Sequence, residues 1–385
     1  MGLRRGTGRS AALLAGLLYL GTILGLVVAS PRAAAAASTT GWTITDLGSL
    51  PGGSTSNAMA INGTTQVVGE GDVNATTGHA YRWQNGVLTD LNKNGTFPTW
   101  SNITGTQARA INSTGDVAGF STGTPNATPA DSLKAWLWSA GTVTILGTMN
   151  DATGVNVHQQ VVGYAGVNGF AHATLWQSGT QTDLGTLGGR LSFATGINDA
   201  GQVVGQSSGP NDSGGYAFVW QNGTMSSLGT LGGCSSTAYA INGVGDIAGI
   251  SDTTGNCGAL SHAFLRKGAV TRDLGTLPGD TFSKGLGVNA SDQVVGISIQ
   301  PFTDLQRPFL WSNGVMTDLT TVIDPSQHWV LGDAVGINDK GQIVGTGTHF
   351  GIARGYLLTP PALPSNHGRG AGPPPAPAGN WRPRH

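Results

Sequence analysis

An all-β fold is predicted by a short sequence pattern that recurs seven times between Asn62 and Gly345. Each copy has a small residue, then Ile or Val, then Asn, and a Gly follows seven residues after the Asn. The asparagines are separated by 50, 44, 42, 44, 47 and 49 residues, a period typical of a repeat architecture built from one supersecondary unit. With 63 glycines and only 10% charged residues, the composition favours strands and turns over a helical repeat. The asparagines are Asn62, Asn112, Asn156, Asn198, Asn242, Asn289 and Asn338.

Each copy of the pattern contains four short β-type runs. In the fourth copy these runs cover residues 194–198, 202–205, 217–220 and 225–229, and turn-forming residues separate them. Asn198-Asp199-Ala200-Gly201 is typical of a turn between the first two strands, and Asn222-Gly223 of a tight hairpin between the last two. Four antiparallel strands of this length predict one blade of a β-propeller.

An additional copy of the fourth strand lies ahead of the first repeat. It reads Thr43-Ile44-Thr45-Asp46-Leu47-Gly48, whereas the seventh repeat ends at Tyr356-Leu357-Leu358 without a fourth strand. We expect the N-terminal strand to complete the last blade, because a closed ring leaves no open sheet edge. The sequence therefore predicts a seven-bladed β-propeller of four-stranded antiparallel blades, closed by the N-terminal strand.

Three regions follow from the composition. Residues 1–37 combine three early arginines, an apolar run over 11–29 and small residues at 33–37, which predicts a secretory signal peptide, with an uncleaved membrane anchor as the alternative. Residues 38–360 form the predicted propeller, and the Pro/Gly/Arg-rich tail at 361–385 is expected to be disordered. Both readings of the leader place the repeats outside the cytoplasm, so we expect an extracellular, secreted or cell-surface protein.

Cys234 and Cys257 are the two cysteines, and both lie in the fifth repeat. In an oxidising compartment we expect them to form a disulfide, which would close a loop of roughly 24 residues and add about 3 kcal/mol of stability. Two unpaired thiols are the alternative.

Charge and motif content exclude several function classes. Residues 38–360 hold 12 Lys plus Arg and 20 Asp plus Glu, a net charge of 12 − 20 = −8, which disfavours a nucleic-acid partner. No metal-ligand spacing or phosphate loop occurs, so we expect no metal and no cofactor. Gly205-Gln206-Ser207-Ser208-Gly209 matches a nucleophile-elbow pattern, but its Gly-x-Ser part recurs in three other repeats and is interpreted as architecture.

Recurring residues are interpreted as architecture, and unequal loops as the candidate binding surface. One recurring tryptophan is expected to pack between blades, and the Asp of the fourth strand to be a hydrogen-bonded strand end. The connections after the second and fourth strands vary in length. The longest of each kind, with separations of 16 and 21 residues, lie within the second repeat and just before it, and a separation of 19 residues precedes the seventh repeat. We call the side that carries them the variable face and the other side the constant face; the variable face is the expected binding surface. The recurring residues are Trp83, Trp138, Trp176, Trp220 and Trp311, and Asp46, Asp90, Asp183, Asp273 and Asp318.

The repeats resemble a known family. Ser261-His262-Ala263-Phe264-Leu265, the run from Asp183 to Gly189 and the run from Gly196 to Gly205 are similar to the extracellular HAF-repeat family, over roughly residues 43–358. The resemblance implies a secreted or surface protein of bacterial type and supplies no catalytic residues. The histidine is present at His79, His172 and His262 only, which argues against a ring of histidine ligands.

Residues that do not repeat are the candidate ligand-binding residues. Glu70 and Asp72 follow the second strand of the first repeat and are expected in a loop, where solvated carboxylates are the simplest interpretation. Trp100 precedes the second repeat, and the pair His328-Trp329 precedes the seventh. An exposed indole ring there would stack on a sugar or on a partner's apolar group, and packing within the loop itself is the alternative.

These observations lead to one main functional hypothesis and two alternatives. The main hypothesis is a secreted, monomeric, non-catalytic β-propeller that binds a glycan, a cell-wall component or a protein on its variable face. The first alternative is an extracellular glycoside hydrolase or lyase that uses loop carboxylates such as Glu70. The second is a purely structural surface protein.

Overall fold

The structure, a computed structural model, describes residues 41–93, 97, 103–123, 133–253, 258, 260–301 and 305–361. Short strands and turns make up almost all of these residues, so the all-β prediction is confirmed. Within the described ranges, no helix is long and apolar enough to cross a lipid bilayer. The predicted leader at 1–37 and the predicted tail after 361 lie outside the described residues.

The strands of the described ranges form five sheets. Antiparallel pairing divides them into seven units, numbered I to VII in chain order. One parallel contact, Gly78 with Gly105, joins unit I to unit II, and another, Ser261 with Phe282, joins unit V to unit VI. Unit I comprises β2 (Ala60–Ile61), β3 (Val67–Asn74), β4 (Thr77–Gln84) and β5 (Val87–Asp90). Unit II comprises β6 (Ile103–Ile111), β7 (Val117–Gly123), β8 (Leu133–Ser139) and β9 (Thr142–Ile145). Unit III comprises β10 (Met149–Val155), β11 (Val161–Val167), β12 (Phe170–Gln177) and β13 (Thr180–Asp183). Four-stranded meanders of this kind are the blades of β-propellers.

The next units follow the same plan. Unit IV comprises β14 (Ser192–Ile197), β15 (Val203–Ser208), β16 (Gly215–Gln221) and β17 (Thr224–Gly229). Unit V comprises β18 (Ser236–Ile241), β19 (Ile247–Asp252), β20 (Ser261–Lys267) and β21 (Val270–Gly275). Unit VI comprises β22 (Phe282–Val288), β23 (Val294–Ile299), β24 (Gln306–Ser312) and β25 (Val315–Asp318).

Unit VII is assembled from both ends of the described chain. It comprises β26 (Trp329–Leu331), β27 (Gly336–Ile337), β28 (Ile343–His349), β29 (Ile352–Thr359) and the N-terminal strand β1 (Thr43–Asp46). Strand β1 pairs antiparallel with β29, from Thr43 opposite Thr359 to Asp46 opposite Tyr356. The early fourth-strand sequence therefore supplies the strand that the seventh repeat lacks, as the sequence predicted.

The recurring Gly is required by a close backbone approach. In unit IV, a Cβ placed on Gly205 would lie 2.0 Å from the carbonyl oxygen of Phe193, on the neighbouring strand. The register of β14 on β15 shifts between Ala194 and Gly196, so the first strand bulges toward this glycine. At the equivalent Gly of every unit, an added Cβ would lie 1.8 to 2.2 Å from the carbonyl oxygen of the residue twelve positions earlier. This clash explains why Gly recurs seven residues after each Asn.

The core is divided into clusters that lie between neighbouring units. Trp176 of unit III packs in one cluster with Ala118 and Leu137 of unit II. Trp83 of unit I, 6% exposed, packs in another with Val344 and Leu357 of unit VII. The predicted role of the recurring tryptophan is thereby confirmed, because Trp138, Trp220 and Trp311 also contact clusters shared with the preceding unit.

Candidate functional site

Each recurring Asn organises the turn after the first strand of its unit. In unit IV, Asn198 Oδ1 accepts hydrogen bonds from the backbone N–H groups of Ala200 (3.2 Å) and Gln202 (3.0 Å). Its Nδ2 donates to Gln202 Oε1 at 2.8 Å. The side chain is 5% exposed, and nearly all of its hydrogen-bonding capacity is used, so this residue is architectural.

The asparagines also link the units to one another. Asn198 Nδ2 donates to the backbone oxygen of Asn242, the equivalent residue of the next unit, at 3.2 Å. The same bond recurs from unit to unit, and Asn338 of unit VII donates at 3.1 Å to the oxygen of Asn62 in unit I, which returns the series to its first member. The other bonds run from Asn62 to Asn112, Asn112 to Asn156, Asn156 to Asn198, Asn242 to Asn289 and Asn289 to Asn338.

The opposite, variable-face end of the same hairpins carries side chains that differ from unit to unit. We call the residues five positions before each Asn, with their cross-strand partners, the inter-unit layer. In unit IV these are Phe193 and Gln206, and Gln206 Nε2 donates at 2.7 Å to Thr237 Oγ1 of unit V. The layer residues on the first strands are Asn57, Gln107, Asp151, Phe193, Thr237, Lys284 and Asp333. Their partners are Glu70, Phe120, Tyr164, Gln206, Ile250, Ile297 and Thr346.

Glu70 bridges units I and II within this layer. Its Oε2 accepts a hydrogen bond from Gln107 Nε2 at 2.7 Å, and its backbone N–H donates to Asn57 Oδ1 at 2.8 Å. Burial raises the pKa of the Glu70 carboxyl, and the Gln107 hydrogen bond and the positive charge of Arg109 oppose that rise. The protonated form of Glu70 is therefore more accessible near neutral pH than that of an ordinary surface carboxyl.

Arg109 and Asp151 bridge units II and III next to Glu70. Arg109 Nη2 lies 3.5 Å from Asp151 Oδ2, and the two side chains are 14% and 15% exposed. The guanidinium also lies 4.9 Å from the centre of the Phe120 ring. Burial raises the pKa of Asp151, with Arg109 opposing, and burial together with the Asp151 charge raises the pKa of Tyr164. The cluster thus combines charged, amide and aromatic groups in a small, largely desolvated space.

Several buried polar atoms of this cluster have no hydrogen-bond partner. They are Gln107 Oε1, Arg109 Nε and Asp151 Oδ1, and no described residue supplies a partner for them. Ser121 Oγ and Trp136 Nε1 of unit II are also buried without a hydrogen-bond partner. Buried unpaired atoms are therefore concentrated in unit II and at its junction with unit III. An unsatisfied buried polar group costs about 1–3 kcal/mol, so this region is less stable than one in which all buried polar atoms are paired.

A second charged pair lies in the layer between units VI and VII. Burial raises the pKa of Asp333 to about 6, while the Thr346 N–H and the Lys284 charge oppose the rise. Burial lowers the pKa of Lys284, and Asp333 opposes that shift. Thr346 N–H donates to Asp333 Oδ1 at 2.6 Å, and the Tyr356 hydroxyl donates to the Asp333 backbone oxygen. Asp333 is thus held in place by these hydrogen bonds, and Lys284 acts on it through its charge.

The prediction that Glu70 and Asp72 lie in a loop is wrong. Both residues lie in strand β3, which pairs with β4 as far as Asn74. Asp72 Oδ1 accepts from the backbone N–H groups of Ser54 (2.8 Å) and Thr55 (2.6 Å). Asp72 therefore fixes the preceding connection, and of the two acids only Glu70 contacts the unit II cluster.

His328 and Trp329 lie at the variable-face edge of unit VII. The Trp329 ring stacks on His349 with centroids 4.6 Å apart and planes 3° apart, and it meets Tyr356 edge-on. His328 has a left-handed backbone, with φ of 56°, and its ring lies 4.8 Å from the exposed Phe350. Packing within the segment therefore accounts for much of the Trp329 surface. Trp100 and Cys257 lie outside the described residues, so the Trp100 site and the Cys234–Cys257 disulfide stay predictions.

The remaining motifs have structural roles. Ser207, in the pattern that resembles a nucleophile elbow, is 1% exposed, and its Oγ accepts from Leu187 N–H and donates to the Leu191 oxygen. His79, His172 and His262 each bond the Asp of the fourth strand, at 2.9 to 3.0 Å. These aspartates also accept from the N–H two residues later, as predicted for a strand end. Within the described ranges, no group of His, Cys, Asp or Glu has a metal-binding arrangement.

Sequence reasoning missed Gln107, Arg109, Asp151 and Tyr164. These residues lie on regular strands inside the repeat, and the candidate residues were sought in the unequal loops. A signal was present: five residues before each Asn, the seven repeats carry Asn, Gln, Asp, Phe, Thr, Lys and Asp, while the next position is Ala in six of them.

Several solved structures resemble this chain at low sequence identity. No protein-family model matches the chain, and no curated protein matches it. Among solved structures, it is similar to an acylaminoacyl peptidase of Pyrococcus horikoshii (12% identity, TM-score 0.45, 78% of this chain and 51% of that chain). It is also similar to a Trypanosoma rangeli sialidase (10%, 0.42, 84% and 60%) and to a gluconolactonase of Xanthomonas campestris (11%, 0.39, 84% and 91%). The chain spans about half the length of the peptidase, and no activity is transferred at these identities.

Proposed function

We propose that the protein is a secreted, non-catalytic β-propeller that binds a hydroxyl-rich ligand, a glycan or cell-wall saccharide, at the inter-unit layer of units I to III. One observation carries this proposal. The unpartnered polar atoms of the described chain are concentrated at unit II. In the sequence, the longest fourth-strand connection leads into that same unit, and the longest connection between second and third strands lies within it.

The chemistry of the unpartnered atoms indicates the ligand class. Gln107 Oε1 and Asp151 Oδ1 are hydrogen-bond acceptors, and Arg109 Nε–H is a donor. A hydroxyl group both donates and accepts, so adjacent hydroxyls of one sugar complement all three atoms. The Phe120 and Tyr164 rings of the same layer add aromatic surface, which is usual in ligand sites with a few placed polar groups.

A closed scaffold of seven blades is part of the proposal. Three observations support it: the hydrogen-bond series that returns from Asn338 to Asn62, the core cluster shared by units VII and I, and the pairing of β1 with β29. A closed ring would hold the layer residues of units I to III in fixed relative positions, which lowers the entropy lost on binding. The extracellular location rests on the apolar leader in the sequence.

The test is a glycan-array screen of the purified protein, followed by calorimetry on the strongest hit with the variants Asp151→Asn and Gln107→Met. Each substitution removes an acceptor at nearly constant volume, so we expect at least a tenfold loss of affinity, about 1.4 kcal/mol, from each. Asp212→Asn is the matched control. Asp212 lies on the connection between β15 and β16 of unit IV, where it pairs with Arg190, and it is far along the chain from the cluster. An array without a hit, or equal affinity for all four proteins, would contradict the proposal.

One observation favours the enzyme alternative, a glycoside hydrolase or lyase. Burial raises the pKa of Glu70, and a carboxyl with a raised pKa is what a general acid requires. Turnover assays on a polysaccharide panel decide between the two functions. Activity that disappears in Glu70→Gln, with the melting temperature preserved, would replace the binding proposal by the enzyme.

A further inference from the structure

A cavity on the constant face lies where the two ends of the described chain meet. It has a volume of about 510 Å³ and lies between units VI and VII. Trp42 and Pro360 form one side, and Gln293, Ser312, Asn313 and Gln342 form much of the rest. We call it the seam cavity. It is separate from the inter-unit layer, which lies at the opposite end of the same hairpins.

The seam cavity follows from the way unit VII is assembled. In the other units, a tight hairpin joins the third and fourth strands on this face, as at Asn222-Gly223. In unit VII, β29 and β1 pair without a connecting turn, so Trp42 and Pro360 lie just beyond two separate strand ends and line the cavity. The seam cavity is therefore a feature of one unit and not of the repeat.

Unit VI contributes a hydrogen-bonding group that other units use internally. In units I, III and IV, the Gln four residues after the Asn donates from Nε2 to a Gln at the end of the third strand, at 3.1, 3.1 and 3.3 Å. In unit VI the third strand ends in Ser312, and no residue that the structure describes accepts from Gln293 Nε2. That amide is left available at the seam cavity.

The lining indicates the ligand class. The half-buried Trp42 packs against the core cluster of units VI and VII and offers a flat aromatic surface. The amide of Gln293 and the hydroxyls of Ser291, Ser312 and Thr359 supply neutral donors and acceptors. The two charged lining residues, Asp339 and Lys340, have opposite signs. A neutral molecule with one apolar face and a hydroxyl-bearing edge fits this combination.

We propose that the seam cavity binds one residue of a neutral saccharide, with the sugar ring against Trp42 and a ring hydroxyl accepting from Gln293 Nε2. This second site would not depend on the ligand of the inter-unit layer. Together the two sites would allow one molecule to hold saccharides on both of its faces.

The test uses calorimetry and ligand-observed NMR on the purified protein with glucose, galactose, N-acetylglucosamine and their dimers. Ser312→Gln is the decisive variant, because the longer side chain would rebuild the Gln–Gln hydrogen bond of units I, III and IV and fill the cavity. We expect at least a tenfold loss of affinity with an unchanged melting temperature. Ser312→Ala removes one lining hydroxyl but leaves the space and the Gln293 amide in place, so it should lose clearly less affinity than Ser312→Gln.

Two further variants test the aromatic surface and the independence of the seam cavity. Trp42→Phe should retain more affinity than Trp42→Ala, because it keeps part of the aromatic surface. Asp151→Asn should leave saccharide binding at the seam cavity unchanged. A negative result for the seam cavity can therefore be distinguished from a negative result for the inter-unit layer. The proposal is overturned if none of the sugars binds with a Kd below about 10 mM, or if Ser312→Gln binds as tightly as Ser312→Ala.

Discussion

The two ends of each inner hairpin differ in how completely their polar groups are paired. At the constant-face end, the Asn side chain of each unit bonds its own turn and the backbone of the next unit. At the variable-face end, Gln107, Arg109 and Asp151 keep buried atoms without partners. Both ends belong to the same strands and the same repeat, yet only the first is uniform in sequence and in geometry.

Under the proposed binding function, this difference means that one end of the hairpin serves stability and the other serves recognition. A position that makes the same bonds in every unit has no freedom to change, because each change would break a contact with the neighbouring unit. A position whose side chain meets a different partner in each unit tolerates variation and retains groups that a ligand can use. We therefore expect substitutions at the turn end to reduce stability strongly and those at the layer end to alter binding and pH dependence.

The largest expected effect is that of Gly205→Ala. The new Cβ would lie 2.0 Å from the Phe193 oxygen and 2.9 Å from the Phe218 ring, so either the strand moves or the bulge is lost. We expect a loss of more than about 4 kcal/mol in the free energy of unfolding, or no folded protein, measured by urea denaturation. Gly243→Ala, which meets no atom within 4 Å, is the control and should change stability by less than about 0.5 kcal/mol. Equal effects of the two substitutions would refute the close-approach explanation.

Asn198→Gly should have the next largest effect. It removes two accepted and two donated hydrogen bonds in a buried turn, one of them to unit V. At about 1 kcal/mol for each bond, we expect a loss of about 4 kcal/mol by the same measurement. The same replacement at Asn222, in an exposed hairpin turn with φ of 50°, should cost less than about 0.5 kcal/mol. If Asn198→Gly were as mild as Asn222→Gly, the asparagine series would not be what joins the units.

Asp333→Asn tests the layer end through pH. The pKa of Asp333 is about 6 in the folded protein, against an ordinary value of 3.8, so between pH 4 and 6 the folded protein holds a proton that the unfolded chain releases. Stability from this group is therefore fully present below pH 4 and is lost as the pH rises through 6, by up to about 3 kcal/mol for this difference in pKa. Melting temperatures from pH 4 to 7 should show this decline, and Asp333→Asn should remove most of it. If the melting temperature of Asp333→Asn fell with pH as steeply as that of the unmodified protein, the decline would come from other carboxyl groups.

Much of the fold could be predicted from the sequence, because the residue patterns that determine it are local and repeated. The Asn-to-Gly spacing located the inner hairpins, the recurring tryptophan located the packing between units, and Thr43–Asp46 was recognised as the missing strand of the last repeat. Each of these residues makes the same contact in most units, so sevenfold repetition amplifies a weak signal.

The candidate site was harder to predict from the sequence, because it depends on contacts between units. Glu70 was identified by its type, but its bond to Gln107 joins two strands 37 positions apart in sequence. Arg109 and Asp151 occupy strand positions that look ordinary until the units are placed side by side. The position of Asp72 after the second-strand motif predicts a loop, whereas strand β3 continues through it and its carboxylate accepts hydrogen bonds from Ser54 and Thr55.

The junction of β1 with β29 also decides how the molecule faces its surroundings. Gly41 and Pro361 lie so close that a Cβ on Gly41 would be 3.0 Å from the Pro361 side chain, and both are next to the seam cavity on the constant face. Any tether attached at either of these residues therefore departs from the same side of the protein. Anchored in that way, the protein would present its variable face, which carries the inter-unit layer, away from the anchor.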